Sequence, residues 1–364
     1  MKKTIIFFYL LIFTMVGQAQ LPGLTITGNP ESSGGATWTY QATINTVIYD
    51  LQGILFKPVG TGPFPGVIIS HGGGGSAAAY STGIAKEMVT WGLVCIGTNL
   101  CHVSNTYPTG SPGTSNDGGA TSPNIQRNMK CWDILASLGY VDTHCIAAHG
   151  HSLGAMATGS TVGMNPTKFS TASQTAGGVN DAGPQYIKTP QANGIIVPYY
   201  LHHGDMDLTV PLKYGQKMDT ILTNNNVIHY LDIYAGYNHS QIALDDTMFA
   251  RTKNWYSQYL CISATGTNQD LIKQGDNLSL QIYPNPSSGK TTLEFSLANP
   301  SPVSIDIYNL LGEKIMNISE KIFNIGPNVV YFDPSKLEAG VYFISIKTDS
   351  KTISEKIIIA GPSK

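Results

Sequence analysis

Gly150-His151-Ser152-Leu153-Gly154 constrains this chain more than any other stretch, because a serine flanked this way needs a turn too tight for side chains at either glycine. The preceding Cys145-Ile146-Ala147-Ala148 reads as a short buried strand, and Leu153-Gly154-Ala155-Met156-Ala157 is small and tolerates a helix. Strand, turn and helix in that order hold a serine at a strained backbone angle with its hydroxyl presented outward. The bland alternative is an ordinary tight turn in a Gly-rich chain.

A serine hydroxyl is a poor nucleophile near neutral pH, so it needs an imidazole within hydrogen-bond reach and an acid that fixes the imidazole tautomer. Both occur downstream. Pro198-Tyr199-Tyr200-Leu201-His202-His203 is strand-like and runs into Gly204-Asp205-Met206-Asp207-Leu208-Thr209-Val210-Pro211, which puts two carboxylates in a loop ahead of a helix whose first turn suits Pro211. Residues 227–234 form another strand pattern and lead into Gly236-Tyr237-Asn238-His239-Ser240.

The order Ser, Asp, His, together with these motifs, resembles the dienelactone-hydrolase-like and bacterial cutinase-like branch of the α/β-hydrolases. The resemblance covers roughly residues 45–260 and rests on His71-Gly72-Gly73-Gly74-Gly75, Gly150 to Gly154, His203-Gly204 with Asp207 and Val210-Pro211, and Gly236 with His239. It implies Ser152 as nucleophile, His239 as general base and Asp207 as orienting acid, since the family's acid stands three residues before the valine of Val-Pro. Asp205 is the rival acid. Its structural reading is a turn residue bonding its own backbone beside Gly204.

The glycine run after the strand at 66–70 supplies backbone donors that can approach a developing oxyanion closely. Gly73 and Leu153 are assigned as the oxyanion hole, with Gly72 competing for the first place by one residue of register. A flexible linker is the other meaning of four glycines, but a linker rarely joins a buried strand directly to a helix such as 82–92.

Nine histidines raise a metal site, especially His149, His151, His202 and His203. No acidic partner falls at ligand spacing on a helix and there is no His-Glu-x-x-His element, so no metal and no cofactor is expected. His202 or His203 is expected to pack beneath the acid loop. The formal net charge is −2 with 12% charged residues, which leaves no basic stripe for nucleic acid and favours an uncharged or weakly charged substrate.

Lys2-Lys3, the apolar run from Ile5 to Val16 and Gly17-Gln18-Ala19 read as a secretory signal peptide over residues 1–19, too short and wrongly flanked for a membrane span. The exported protein then meets an oxidising compartment, where its five cysteines can pair. Cys101 with Cys131 is the preferred pair. Cys95 and Cys145 read as core residues.

From 64 to 260 strand and helix patterns alternate, predicting an α/β architecture: a mostly parallel sheet with helices on both faces, preceded by edge strands at 37–44 and 47–57. A polar, Gly-rich loop at 109–119 borders the site or is a disordered insertion. The helix expected at 243–260 carries Phe249, Trp255, Tyr256 and Tyr259, read as core.

The hydrolase region is bounded at 20–262 and a polar linker at 263–279. Residues 280–364 then give short alternating strands, a separate all-β sandwich. Tyr283-Pro284-Asn285-Pro286, Ile307-Tyr308-Asn309-Leu310-Leu311-Gly312, Gly340-Val341-Tyr342-Phe343 and Lys356-Ile357-Ile358 make it closely similar to the type IX secretion system sorting domain of Bacteroidetes. That resemblance implies export to the surface or medium, with the secretion machinery as partner. A carbohydrate-binding sandwich is the rival, but the segment has no row of exposed Trp.

The expectation is therefore a secreted serine carboxylic ester hydrolase. Polyester hydrolysis is its narrower form, weakened by two departures: no aromatic residue near Gly73, and Leu153 where methionine is usual. Stacking would have to come from Tyr80 or Tyr237. A prolyl-oligopeptidase-like peptidase or amidase shares the triad, though its usual propeller finds no room in this sequence. A binding protein without catalysis is the third reading.

Overall fold

The computed structural model describes residues 20–102, 118–261, 280–297, 301–323, 326–348 and 351–360. The expected signal peptide, most of the 109–119 loop and the 263–279 linker lie outside the described residues. Three antiparallel strands come first, β1 (Thr25–Gly28), β2 (Ala36–Ile44) and β3 (Val47–Phe56). There follow β4 (Phe64–Ser70), α1 (Thr82–Met88), β5 (Val94–Thr98), α2 (Ser122–Ser137), β6 (Val141–His151), α3 (Leu153–Met164) and β7 (Thr171–Thr175). The unit closes with α4 (Thr189–Asn193), β8 (Tyr199–Gly204), α5 (Leu212–Asn224), β9 (His229–Tyr234) and α6 (Asp246–Tyr259).

These strands form one nine-stranded sheet in the order β1-β2-β3-β5-β4-β6-β7-β8-β9. It is parallel from β5 to β9 and antiparallel on the β1–β3 side. The period-two alternation of each strand splits the core between its two faces. Ile68, Val94, Ile96, Ile146 and Ala148 pack on one side with Cys131, Ile134 and Leu135 of α2, Met156 of α3 and Met218 of α5. Val67, Ile69, Cys95 and Ala147 pack on the other with Ile84 and Met88 of α1 and the buried Phe249, Trp255, Tyr256 and Tyr259 of α6. Runs apolar at every position, such as Val67-Ile68-Ile69, are what a sheet covered on both faces demands. The mostly parallel sheet covered by helices on both faces, expected from the alternating pattern, is the one observed, as is the α/β-hydrolase fold that the resemblance implied.

Helix ends differ from expectation for local reasons. Helix α2 starts at Ser122, with Pro123 suited to its first turn. Helix α6 starts later than 243, since Asp245 caps it by accepting from the Met248 N–H at 2.9 Å, and a short 3-10 turn, Gln241–Leu244, precedes it.

The cysteine expectation is corrected. No disulfide joins Cys101 to Cys131; the bond links Cys145 to Cys261, their Cα atoms 4.5 Å apart. The Cys101 N–H donates to the Asn124 side chain at 2.8 Å, beside the first turn of α2. Cys131 stands seven residues along that helix, about 10 Å further at 1.5 Å per residue, beyond the reach of a bridge. Cys145 opens the buried half of β6, and Cys261 follows α6, which lies along the sheet and brings its end back to that strand. The cross-link spans 116 residues. A loop of that size predicts on the order of 4 kcal/mol of stabilisation. Cys145→Ala/Cys261→Ala, or full reduction, should then lower Tm by roughly 10 °C at about 2–4 °C per kcal/mol. An unchanged calorimetric Tm after verified reduction would contradict this.

Residues 280–360 form two antiparallel sheets around a second core. One holds β10 (Leu280–Tyr283), β11 (Thr291–Leu297) and β14 (Gly326–Phe332). The other runs β13 (Lys314–Phe323), β12 (Ser301–Tyr308), β15 (Gly340–Lys347), β16 (Thr352–Ile359). Leu293, Ile305, Ile307, Ile344, Ile346 and Ile357 fill the space between them.

Candidate active site

Ser152 sits between the last residue of β6 and the first of α3, with φ 57° and ψ −125°. A non-glycine residue pays for that conformation, and the surroundings enforce it. The Ser152 N–H donates to the Thr175 carbonyl at 3.0 Å and its carbonyl accepts from Met156 at 3.1 Å. A methyl on Gly150 would stand 2.4 Å from the Gly154 carbonyl oxygen, and one on Gly154 would stand 2.1 Å from that of Ser70. Both glycines are therefore required by contact with backbone.

Loops at the carboxyl ends of β6, β8 and β9 bring three predicted residues together. His239 Nε2 lies 2.8 Å from Ser152 Oγ, and His239 Nδ1 lies 2.8 Å from Asp207 Oδ2. Asp207 is buried, and its Oδ1 accepts from the backbone N–H groups of Thr209 and Val210 at 2.9 and 2.8 Å. Asp205 points elsewhere. Its Oδ1 accepts from Gly236 N–H at 2.7 Å, tying the acid loop to the histidine loop rather than bonding its own turn.

Gly72 is buried against the serine: a methyl there would lie 3.3 Å from Ser152 Cβ. Gly73 is exposed, and a methyl there would lie 3.1 Å from Leu153 Cδ1. Leu153 is the first residue of α3, where helical N–H groups lack intrahelical acceptors. The glycine run is not a free linker. His71 Nδ1 donates to the Gly72 carbonyl at 2.9 Å while its Nε2 accepts from Leu100 N–H at 2.9 Å, which pins the start of the loop. Burial, reinforced by neighbouring His102, holds the His71 pKa down at about 3, so this neutral tautomer persists at working pH.

Residues 281–360 match the family model of the secretion system C-terminal sorting domain, and residues 123–191 match that of the prolyl oligopeptidase family. The second match spans Ser152 but neither Asp207 nor His239. Among solved structures, the acylaminoacyl peptidase of Pyrococcus horikoshii is 14% identical with a TM-score of 0.51, over 64% of this chain and 43% of that one. A dipeptidyl aminopeptidase IV candidate from Bacteroides ovatus is 17% identical with a TM-score of 0.51, over 62% of this chain and 36% of that one. The S-formylglutathione hydrolase of Agrobacterium tumefaciens is 15% identical with a TM-score of 0.49, over 65% of this chain and 99% of that one. This chain thus spans less than half the length of either peptidase. No curated protein matches the sequence. The fold of residues 20–261 is that of the α/β-hydrolases, and residues 281–360 match the sorting-domain model.

The electrostatics around the three residues are set by burial and by a ring of histidines. Burial pushes the Asp207 carboxyl up, but the His239 hydrogen bond, the Val210 N–H and the two nearby imidazoles outweigh it and hold the carboxyl below its ordinary range. His203 lies under the acid loop. Its Nε2 donates to the Val210 carbonyl at 2.7 Å and stands 3.5 Å from Asp207 Oδ2, and burial keeps its pKa low. His151 is pushed to about 3 by burial and by His239, whose ring centroid is 4.8 Å away, so it stays neutral beside the base.

The remaining histidines named as metal candidates have hydroxyl partners. His149 Nδ1 bonds Ser173 at 2.7 Å, while His202 bonds Tyr234 at 3.0 Å and Thr252 at 3.1 Å. Among the described residues no cluster of three or more His, Cys, Asp or Glu could hold a metal ion. Of the two aromatic candidates for stacking, Tyr80 already lies against His151 at 5.7 Å and Tyr237 against Tyr234 at 5.4 Å. Sequence reasoning missed the run of ring contacts from Tyr80 through His151 to His239 and the role of Asp205 as a tie, since neither leaves a spacing signal.

Proposed function

We propose that the protein is an exported serine hydrolase that cleaves carboxylic esters through an acyl-enzyme. The observation that carries this is the unbroken line of two 2.8 Å hydrogen bonds from Ser152 through His239 to Asp207. In this reading His239 Nε2 takes the serine proton as Oγ attacks the ester carbonyl, then returns it to the departing alkoxide. Water deprotonated by the same nitrogen attacks the acyl-serine and releases the acid. Asp207 holds Nδ1–H and stabilises the transient imidazolium. The Gly73 and Leu153 N–H groups receive the oxyanion, and no cofactor takes part. The signal peptide at residues 1–19 would carry the chain to the periplasm, and the sorting domain would hand it to the type IX machinery.

The match to the prolyl oligopeptidase family favours a second reading, hydrolysis of an amide at the same three residues. Polyester cleavage is the narrower form of the first reading; of its two stacking candidates, Tyr80 already has a ring neighbour in His151 and Tyr237 one in Tyr234. A fluorophosphonate probe separates the enzyme readings from a binding protein: one label per chain is expected, on the peptide containing Ser152. The labelled protein should lose hydrolysis of p-nitrophenyl acetate. Faster cleavage of an aminoacyl p-nitroanilide than of that ester would move the assignment to the peptidase, and absence of labelling would remove both.

A further inference from the structure

A cleft of about 470 Å³ opens between the far side of the glycine loop and the β2–β3 pair. It lies within the range of small-molecule sites, roughly 300–1,000 Å³. Gly74 forms part of its wall. Gly74 is two residues from Gly72, so at 3.8 Å per residue it is no more than about 7.6 Å from the glycine that packs on Ser152. The cleft thus starts two residues along the glycine loop from the one that packs on Ser152.

The lining mixes apolar surface from Trp38 and the alanines at 77–79 with polar groups, and it carries no charge. It includes Thr37, Thr39, Gln52, Ser76 and Asn99, and no Asp, Glu, Lys, Arg or His among the described residues. Thr37 and Thr39 stand on one face of β2, about 6.8 Å apart along the strand. Gln52 is the cross-strand partner of Thr39 on β3. All three are exposed. Asn99 accepts from Ala77 N–H at 2.9 Å through its amide oxygen, which turns its NH2 into the half left for a ligand. Ser76 accepts from Ala79 N–H at 3.1 Å and keeps its own hydrogen to donate. Strand β2 is laddered on both sides, to β1 and to β3, so the threonines are held on a rigid surface. Hydroxyls and amides that both donate and accept match a ligand rich in hydroxyl groups, whereas a carboxylate or an ammonium would find no counter-charge.

We infer that this cleft binds the saccharide portion of an acylated sugar, which makes sugar esters the substrate class of the hydrolase; the inference rests on the ester-hydrolase reading above. The test compares two acetyl esters on wild type and on Thr37→Val/Thr39→Val/Gln52→Ala, whose valines keep the β-branched shape that suits a strand. Monoacetylated xylobiose reports on the cleft and p-nitrophenyl acetate on the serine alone. The variant is expected to raise KM for the xylobiose ester about tenfold or more, the loss of one or two hydrogen bonds, with kcat little changed. Its kcat/KM on p-nitrophenyl acetate should stay within about twofold. Equal losses on both esters, or no loss on the xylobiose ester, would overturn the sugar assignment. So would a wild type that cleaves p-nitrophenyl acetate but not the xylobiose ester, leaving the ester-hydrolase reading standing. A wild type that cleaves neither and takes no fluorophosphonate label would bring down that reading and this one together.

Discussion

Ser152→Ala is expected to lower kcat/KM on p-nitrophenyl acetate by a factor on the order of 10³ or more while the protein stays folded. Alanine keeps the Cβ that already tolerates φ 57°, and the backbone bonds from Ser152 to Thr175 and Met156 do not involve the hydroxyl. The His239–Asp207 bond is likewise untouched. What disappears is the oxygen 2.8 Å from His239 Nε2, and with it the acyl-enzyme. Residual hydrolysis then comes from the oxyanion donors and binding alone. Steady-state kinetics beside a circular dichroism melt checks both halves, and a folded variant retaining more than a tenth of wild-type activity would place the nucleophile elsewhere.

Asp207→Asn is expected to cost about 10⁴ in kcat, and Asp205→Asn less than about threefold. The difference follows from what each oxygen touches. Asp207 Oδ1 accepts two backbone N–H groups, so an amide placed there must turn its oxygen toward Thr209 and Val210 and its NH2 toward His239. That NH2 cannot accept from Nδ1–H. The imidazole would carry its proton on Nε2 instead, where it can no longer receive one from Ser152. At Asp205 the side-chain bond to preserve is the one accepted from Gly236 N–H, which an amide oxygen accepts equally well. A pH–rate profile of both variants, taken with kcat, separates a lost tautomer from a loosened loop. Equal losses at the two positions would mean that the acid is not Asp207.

Much of this arrangement is legible in the chain because its causes are local. Gly150 and Gly154 are needed because backbone passes within 2.4 Å and 2.1 Å of where their side chains would stand, and a steric need of that kind writes itself as two glycines set evenly about Ser152. Apolar runs such as Val67-Ile68-Ile69 announce a sheet covered on both faces. Short alternating strands announce the second unit, whose sequence also carries the sorting motifs. The choice between Asp207 and Asp205 was only weighted by position, since two carboxylates separated by one residue look alike until their partners are known.

The partners that decided the rest come from distant parts of the chain. Cys145 and Cys261 are 116 residues apart and meet only because α6 lies along the sheet, whereas Cys101 and Cys131, nearer in sequence, are kept apart by the rise of α2. Asp205 finds Gly236, 31 residues on, only because β8 and β9 are parallel neighbours whose loops leave the same edge. The cleft beside Gly74 needs β2, β3, the glycine loop and Asn99 at once. Periodicity and motif spacing record forces acting within a few residues, so the sequence by itself determined the fold class, the elbow and the candidate nucleophile and base. Contacts between loops depend on strand order and helix direction, so the disulfide, the separate fates of the two aspartates and the shape of the cleft were decided by the tertiary structure.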